Sequence, residues 1–132
     1  MDKIFQSVVA VSGVITSFLF GGWPLLLNIF LTFVVIDYIT GLIASGIQGQ
    51  LNSKVGWKGI ARKVVMFLII SVAHMIDVLL ETQNNMIRNA VIFFYLANEL
   101  LSIIENAGRI GIPIPRILLN AVEALKGRVR NK

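Results

Sequence analysis

The stretch Tyr95-Leu-Ala-Asn98-Glu99-Leu-Leu-Ser102-Ile-Ile-Glu105-Asn106-Ala-Gly108-Arg109 decides the fold. Its polar members fall at 95, 98, 99, 102, 105, 106 and 109, the i, i+3, i+4 rhythm of one helix face. Leu96, Leu100, Leu101, Ile103 and Ile104 make the other face. The apolar pattern runs back to Met86, so the whole reads as one long helix. Such a helix offers one side to hydrocarbon or a dry core and the other to water or polar partners. What the polar side looks at is the functional question.

The surrounding composition says which solvent the apolar side meets. The chain has 132 residues, of which 56% are hydrophobic and only 14% charged. A soluble domain carries about 25% charged residues. The mean hydropathy is +0.80. These values point to an all-α integral membrane protein, with residues 1–132 forming a single membrane domain. The net charge is +5. In a soluble protein that suggests nucleic acid, but here the basic residues stand in blocks outside the apolar runs, and lipid and topology explain them better. With no cysteine and one histidine, disulfide, thiolate and metal chemistry find no support, and no cofactor is expected.

Working outward, four apolar runs are long enough to span, at about 4–20, 25–47, 64–80 and 86–107. The first is the shortest and least apolar. Its Gln6, Ala10, Gly13 and Ser17 lie on one stripe whose small members let helices approach closely. This stripe reads as a contact within the chain or between copies, and the segment itself spans or lies at the interface. It lacks a cleavage pattern, and it reads as a retained segment rather than a secretory signal. Gly21-Gly22-Trp23-Pro24 then breaks the helix, which makes the first two runs antiparallel neighbours.

Asp37 sits mid-way along the second run. An acidic side chain at a helix centre costs about 2.5–3.5 kcal/mol on insertion scales, so it calls for a partner. Gly41 and Ala44 follow on its face and predict a close helix contact there. Residues 48–63 read as a polar headgroup loop carrying Lys54, Lys58, Arg62 and Lys63 and no acid. In the third run His74 and Asp77 share a face and suit either an internal hydrogen bond or a proton relay. After the fourth run, two glycines and two prolines between Gly108 and Pro115 end the helix. An amphipathic helix over 116–130 follows, with Leu118, Ala121, Val122, Leu125 and Val129 as its apolar stripe. Lys126, Arg128, Arg130 and Lys132 form a basic tail.

Lys and Arg alternate by side. Lys3, the four of 48–63, and the tail from Arg109 and Arg116 onward fall on one side, and the turns at 21–24 and 81–85 carry none. The positive-inside rule then puts both termini and the 48–63 loop in the cytoplasm. On this topology Asp37, His74 and Glu99 lie at similar depth near the midplane. Glu105, Asn106 and Arg109 fall near the headgroups, where Glu105 and Arg109 are spaced to pair. Asn98, Glu99 and Ser102 are the deeper group, with Asp37 and His74 as expected partners.

Three segments resemble the toxin-secretion/phage-lysis holins: Asp37-Tyr-Ile-Thr-Gly41-Leu-Ile-Ala-Ser45; the loop with Ser53-Lys54, Gly56-Trp57-Lys58-Gly59 and Arg62-Lys63; and Ala97-Asn98-Glu99 through Gly108 with Pro113 and Pro115. The resemblance covers about residues 25 to 126. It implies a small phage or prophage protein of the bacterial cytoplasmic membrane. Such a protein assembles as a homo-oligomer and opens a lesion for a muralytic enzyme (an endolysin) or a toxin. An antiholin is a further implied partner. The pore and oligomer candidates are then Asp37, His74, Asp77, Asn98, Glu99, Ser102 and Glu105. Two alternatives stand beside the holin. One is an antiholin-like regulator of another pore protein. The other is a small proton-coupled four-span transporter using Asp37 or Glu99, which saturable, pH-driven flux would reveal. No nucleophile or substrate cleft supports an enzyme.

Overall fold

The computed structural model describes residues 2–130, with side chains described through 127. Every regular element among them is helical. In order they are α1 (Asp2–Phe20), α2 (Leu25–Ile47), α3 (Ser53–Leu80), α4 (Met86–Ile110) and α5 (Arg116–Arg130), with a short 3₁₀ turn at Gln83–Asn85 before α4. α1, α2, α3 and the stretch Gln83–Ile110 are each long and apolar enough to cross a membrane.

α4 is the central element. It packs against α2, α3 and α5, while α1 packs against α3. Leu27 and Phe30 of α2, Ile70 of α3 and Ile92 of α4 are fully buried where the three helices meet. Phe20, Val34 and Leu96 complete that core. Around it the outward faces are apolar and exposed, as in Val35, Ile39, Leu68, Val72, Leu79 and Phe94. A bundle with an apolar outside is stable in lipid, where close packing and internal hydrogen bonds replace the hydrophobic effect as the source of cohesion.

The four expected spans are helices, but one boundary moves. The predicted loop 48–63 is a connector only at 48–52, and α3 begins at Ser53. Asn52 explains the early start, because its side-chain oxygen accepts the Val55 N–H at 2.9 Å and caps the new helix. Gly56 and Gly59 do not break it. A Cβ at Gly56 would meet the Tyr38 hydroxyl at 3.3 Å, and one at Gly59 the Tyr38 ring at 3.5 Å. Gly56 therefore makes room for the Tyr38 hydroxyl of α2, while the Gly59 distance is ordinary contact. With 28 residues, α3 is about 42 Å long and exceeds a hydrocarbon core of about 30 Å. Its first turns carry Lys54, Lys58 and Arg62, all exposed.

α4 ends as expected. Gly111 takes φ +98, a left-handed conformation that a side chain would strain, and Ile112 N–H closes back on Ala107 O at 2.9 Å. After the two prolines α5 returns to pack on α4, with Val122 buried and Ala121 and Leu125 half-buried. The predicted stripe therefore faces α4 through these three, while Leu118 is exposed and the Val129 side chain lies outside the description. Of the predicted basic tail, Lys126 is half-buried. The side chains of Arg128 and Arg130, and Lys132 altogether, lie outside it too.

α1 differs from the rest, since only Phe20 at its C-terminal end is buried. Ala10, Gly13 and Ser17 are exposed, and a Cβ at Gly13 would meet nothing within 4 Å. The small stripe is thus not a helix contact within this chain.

Candidate functional site

The polar face of α4 is two stripes rather than one. Glu99 and Asn106 point inward and are buried, while Glu105 is exposed. Asn98 is exposed and Ser102 half-buried, yet both line the same cavity as Glu99. This cavity, about 510 Å³, lies between α2, α3 and α4. Asp37, Lys63 and Glu99 form its deep part. Ser45, Val55 and Arg109 line it toward the 48–52 connector, and Arg62, next to Lys63 on α3, is also on its wall.

Lys63 holds the deep group together. Its Nζ donates to Asp37 Oδ2 at 2.7 Å and to Glu99 Oε2 and Oε1 at 3.1 and 3.3 Å. The ammonium thus ties three helices at one point. Asp37 gains a second donor from α4: Asn106 Nδ2 lies 2.9 Å from Asp37 Oδ1, 3.1 Å from Asp37 O and 3.0 Å from Thr40 Oγ1. Gly41 faces this contact, and a Cβ there would stand in ordinary contact at 3.5 Å from Asn106 Nδ2. Ala44 is fully buried on the same face. At the mouth, Arg109 donates to Gln48 Oε1 at 3.1 Å and Ser45 Oγ at 3.3 Å.

A second polar group closes the other end of the bundle. Asp77 accepts the backbone N–H groups of Ile87 at 2.9 Å and Arg88 at 2.8 Å, together with the Thr82 hydroxyl. These are first-turn donors of α4 that the helix cannot satisfy itself, so Asp77 of α3 caps α4 from across the turn. Arg88 Nη1 donates to Phe20 O at 2.6 Å, which ties the end of α1 to α4. His74 Nδ1 lies 2.9 Å from Asn85 Oδ1. Its ring also fills the space beside Gly21, where a Cβ would come within 2.6 Å of His74 Cε1.

Several expectations change. Lys63, assigned to the headgroups, is the centre of the buried group. His74 is not the partner of Glu99: it stands eleven residues beyond Lys63 on α3, about 16 Å along the helix. Thus Asp37 and Glu99 share a level and His74 does not. His74 and Asp77 hydrogen-bond to separate partners, while their charges still act on each other. Asn106 is buried as a structural donor, and Arg109 bonds to α2 rather than pairing with Glu105. The Lys63 role was signalled by spacing, because Lys63, Ile70 and Asp77 recur every seven residues on the inward side of α3. The cap from Asp77 and the bonds from Asn106 to α2 had no such signal. Among the described residues, no three His, Cys, Asp or Glu side chains are grouped to hold a metal.

The sequence pattern of the bacteriophage holin family matches residues 14–127. The chain belongs to this family. It is 36% identical to a probable holin of Bacillus phage phi105 over 76% of this chain and 73% of that one. Two bacterial relatives match more fully. A protein of Halalkalibacterium halodurans is 50% identical over 96% of this chain and 97% of its own, and YtkC of Bacillus subtilis is 34% identical over 100% and 99%. No solved structure matches. A multi-pass membrane protein of the holin family thus carries an acid–base–acid group whose carboxylates are buried near the middle of α2 and α4.

Proposed function

We propose that this protein is a holin that assembles from many copies in the bacterial cytoplasmic membrane and opens a lesion. Through it a cytoplasmic muralytic enzyme, or a toxin, leaves the cell. Both termini and the 48–52 connector face the cytoplasm in this reading, in accord with the charge on the flanks of α3 and α5. The observation that carries it, beyond family membership, is one of scale and surface. The central cavity of one chain is about 510 Å³, far below the volume of a folded enzyme, so a lesion needs several copies. α1 leaves residues 2–15 exposed for them.

Assembly moves polar groups from internal pairing to a lumen, a population shift between two packings. Glu99, Asn98 and Ser102 supply the wetted face, with Glu105 beside them. α5 and the basic start of α3 rest against anionic headgroups.

The test is expression of this chain in a bacterial cell with and without a muralytic enzyme. Collapse of the membrane potential by the chain alone, with lysis only when the enzyme is present, is the expected result. A chain that leaves the potential intact but delays lysis by another holin is instead an antiholin-like regulator. Saturable, pH-driven flux of a small cation, without leakage of large solutes, assigns a transporter and ends the holin reading. In the same assay, Glu99→Leu with Glu105→Gln shifts the time of permeabilisation. Unchanged timing and oligomer size exclude this face from the lumen.

A further inference from the structure

The cavity is polar at one end and stopped at the other. Toward 48–52 it is lined by Ser45, Val55 and Arg109, and its deep part reaches Asp37, Lys63 and Glu99. Beyond them, toward the 21–24 and 81–85 turns, the space is filled. Phe30 stacks on Tyr95 with centroids 6.2 Å apart and packs on Phe67 at 5.1 Å. Leu27, Phe30, Ile70 and Ile92 are fully buried there. The cavity lining thus runs from the carboxylates toward the 48–52 connector, and close-packed hydrocarbon stands at the other end.

The charge at the bottom of that cavity is unbalanced. Asp37 and Glu99 share the single ammonium of Lys63, and the other charged groups on the cavity wall are Arg62 of α3 and Arg109 of α4. Arg109 is engaged by Gln48 and Ser45, and Arg62 is exposed. An excess carboxylate at mid-span is costly when ionised and is relieved by a proton. From the connector end a proton reaches it directly, as H⁺ passing from water to a carboxylate oxygen with no other bond made or broken.

We propose that this cavity is a one-sided aqueous vestibule through which protons from the side of the 48–52 connector, and not from the opposite side, bind the Asp37–Lys63–Glu99 group. The vestibule is defined by the connector and not by which compartment the connector faces. It therefore stands or falls separately from the proposed orientation and from lysis.

The natural chain has no cysteine, so single cysteines report cleanly. Gln50→Cys marks the connector, Gln83→Cys the opposite turn and Ser102→Cys the vestibule wall. The last is a near-isosteric change that keeps the three charged side chains and replaces the Ser102 hydroxyl beside Asp37 by a thiol. The full chain is placed in sealed proteoliposomes that retain a trapped dye and is treated with a charged, impermeant thiol reagent from one face at a time. The expected result is that Ser102→Cys reacts from the face that labels Gln50→Cys and is protected from the face that labels Gln83→Cys. Labelling from the Gln83 face, from both faces or from neither overturns the vestibule. Infrared difference spectra read the proton. Lowering the pH on the connector side alone should raise a carboxylic-acid band that disappears in Glu99→Gln or Asp37→Asn. A band that responds to the opposite side, or no band, overturns proton binding even where labelling is one-sided. In intact cells, labelling of Gln50→Cys and Ser102→Cys from outside with Gln83→Cys protected overturns the proposed orientation and leaves the vestibule standing.

Discussion

The two halves of the bundle are built on opposite plans. The half near the 21–24 and 81–85 turns is dry inside and polar at its rim: aromatic rings and Leu27, Ile70 and Ile92 fill it, and Asp77, His74 and Arg88 lock its end. The half near 48–52 is polar inside, with an ion-paired group below an open cavity. In lipid, polar groups at a rim tie helix ends together and leave the interior close-packed. Polar groups at mid-span must pair with each other, and pairing that water can enter is the weaker arrangement. The first half should therefore hold the helices in register as a hinge, and the second should be the first to open.

The largest expected effect breaks the polar half. Lys63→Met leaves Asp37 and Glu99 without their shared ammonium. Breaking a buried ion pair from one side costs about 3–5 kcal/mol. Unfolding by denaturing detergent, followed by circular dichroism, should show that loss. Adding Asp37→Asn and Glu99→Gln to the same chain removes the orphaned charges and should recover most of it. Failure to recover would mean that Lys63 acts through packing rather than charge.

Next comes the dry half. Phe30→Ala empties a fully buried site between Phe67 and Tyr95. In water-soluble cores the change costs about 3–5 kcal/mol. Lipid tails are as apolar as the core, so the transfer part is absent and about 2–3 kcal/mol of lost packing remains. The same unfolding assay measures it. If Phe30→Ala costs more than Lys63→Met, the ranking of the two halves is reversed.

The two halves were unequally legible in the sequence. The spans were visible because long apolar runs have one structural meaning in a chain this poor in charge. Asp37 and Glu99 stood out as carboxylates in such runs, and depth put them at one level, though it put His74 there too. Lys63 did not stand out. It sits at the end of a basic, glycine-bearing stretch that reads as a loop until Asn52 is recognised as a cap. A capped helix moves the start of α3 eleven residues earlier than the expected 64, and with it Lys63 from the headgroups to the interior. Asp77 and Asn106 were misjudged for another reason. Their partners are backbone groups or a residue 69 positions away, and periodicity carries no record of either. The outward face of α1 was read as a contact on small residues alone, and small residues do not say which partner they admit.

A smaller effect tests the rim. Asp77→Ala removes the acceptor for two N–H groups of α4 and for Thr82. Lost helix caps cost about 0.5–2 kcal/mol. The loss should be local, so amide exchange should quicken at 86–90 and leave the 95–106 region of α4 unchanged. Faster exchange at Glu99 as well would mean that the two halves open together, and the contrast between hinge and opening side would fail.

The smallest effect on folding separates α1 from both halves. Gly13→Leu places a large side chain where nothing lies within 4 Å. Substitutions at sites without such contacts change stability by within about 0.5 kcal/mol. Removing a helix-interior glycine even favours α1 slightly. Unfolding should therefore match the parent chain. Crosslinking in membranes should not: Leu at 13 keeps helices apart where Gly lets their backbones meet, so the oligomer ladder shortens if copies meet on the Ala10–Gly13–Ser17 stripe. An unchanged ladder moves the interface to the apolar side of α1 formed by Phe5, Val8, Ile15 and Phe18, all exposed. A destabilised monomer would mean that α1 packs closely along its length on α3 in the membrane. The bundle would then be four helices deep rather than three with a loosely held arm, and the dry half would extend over α1.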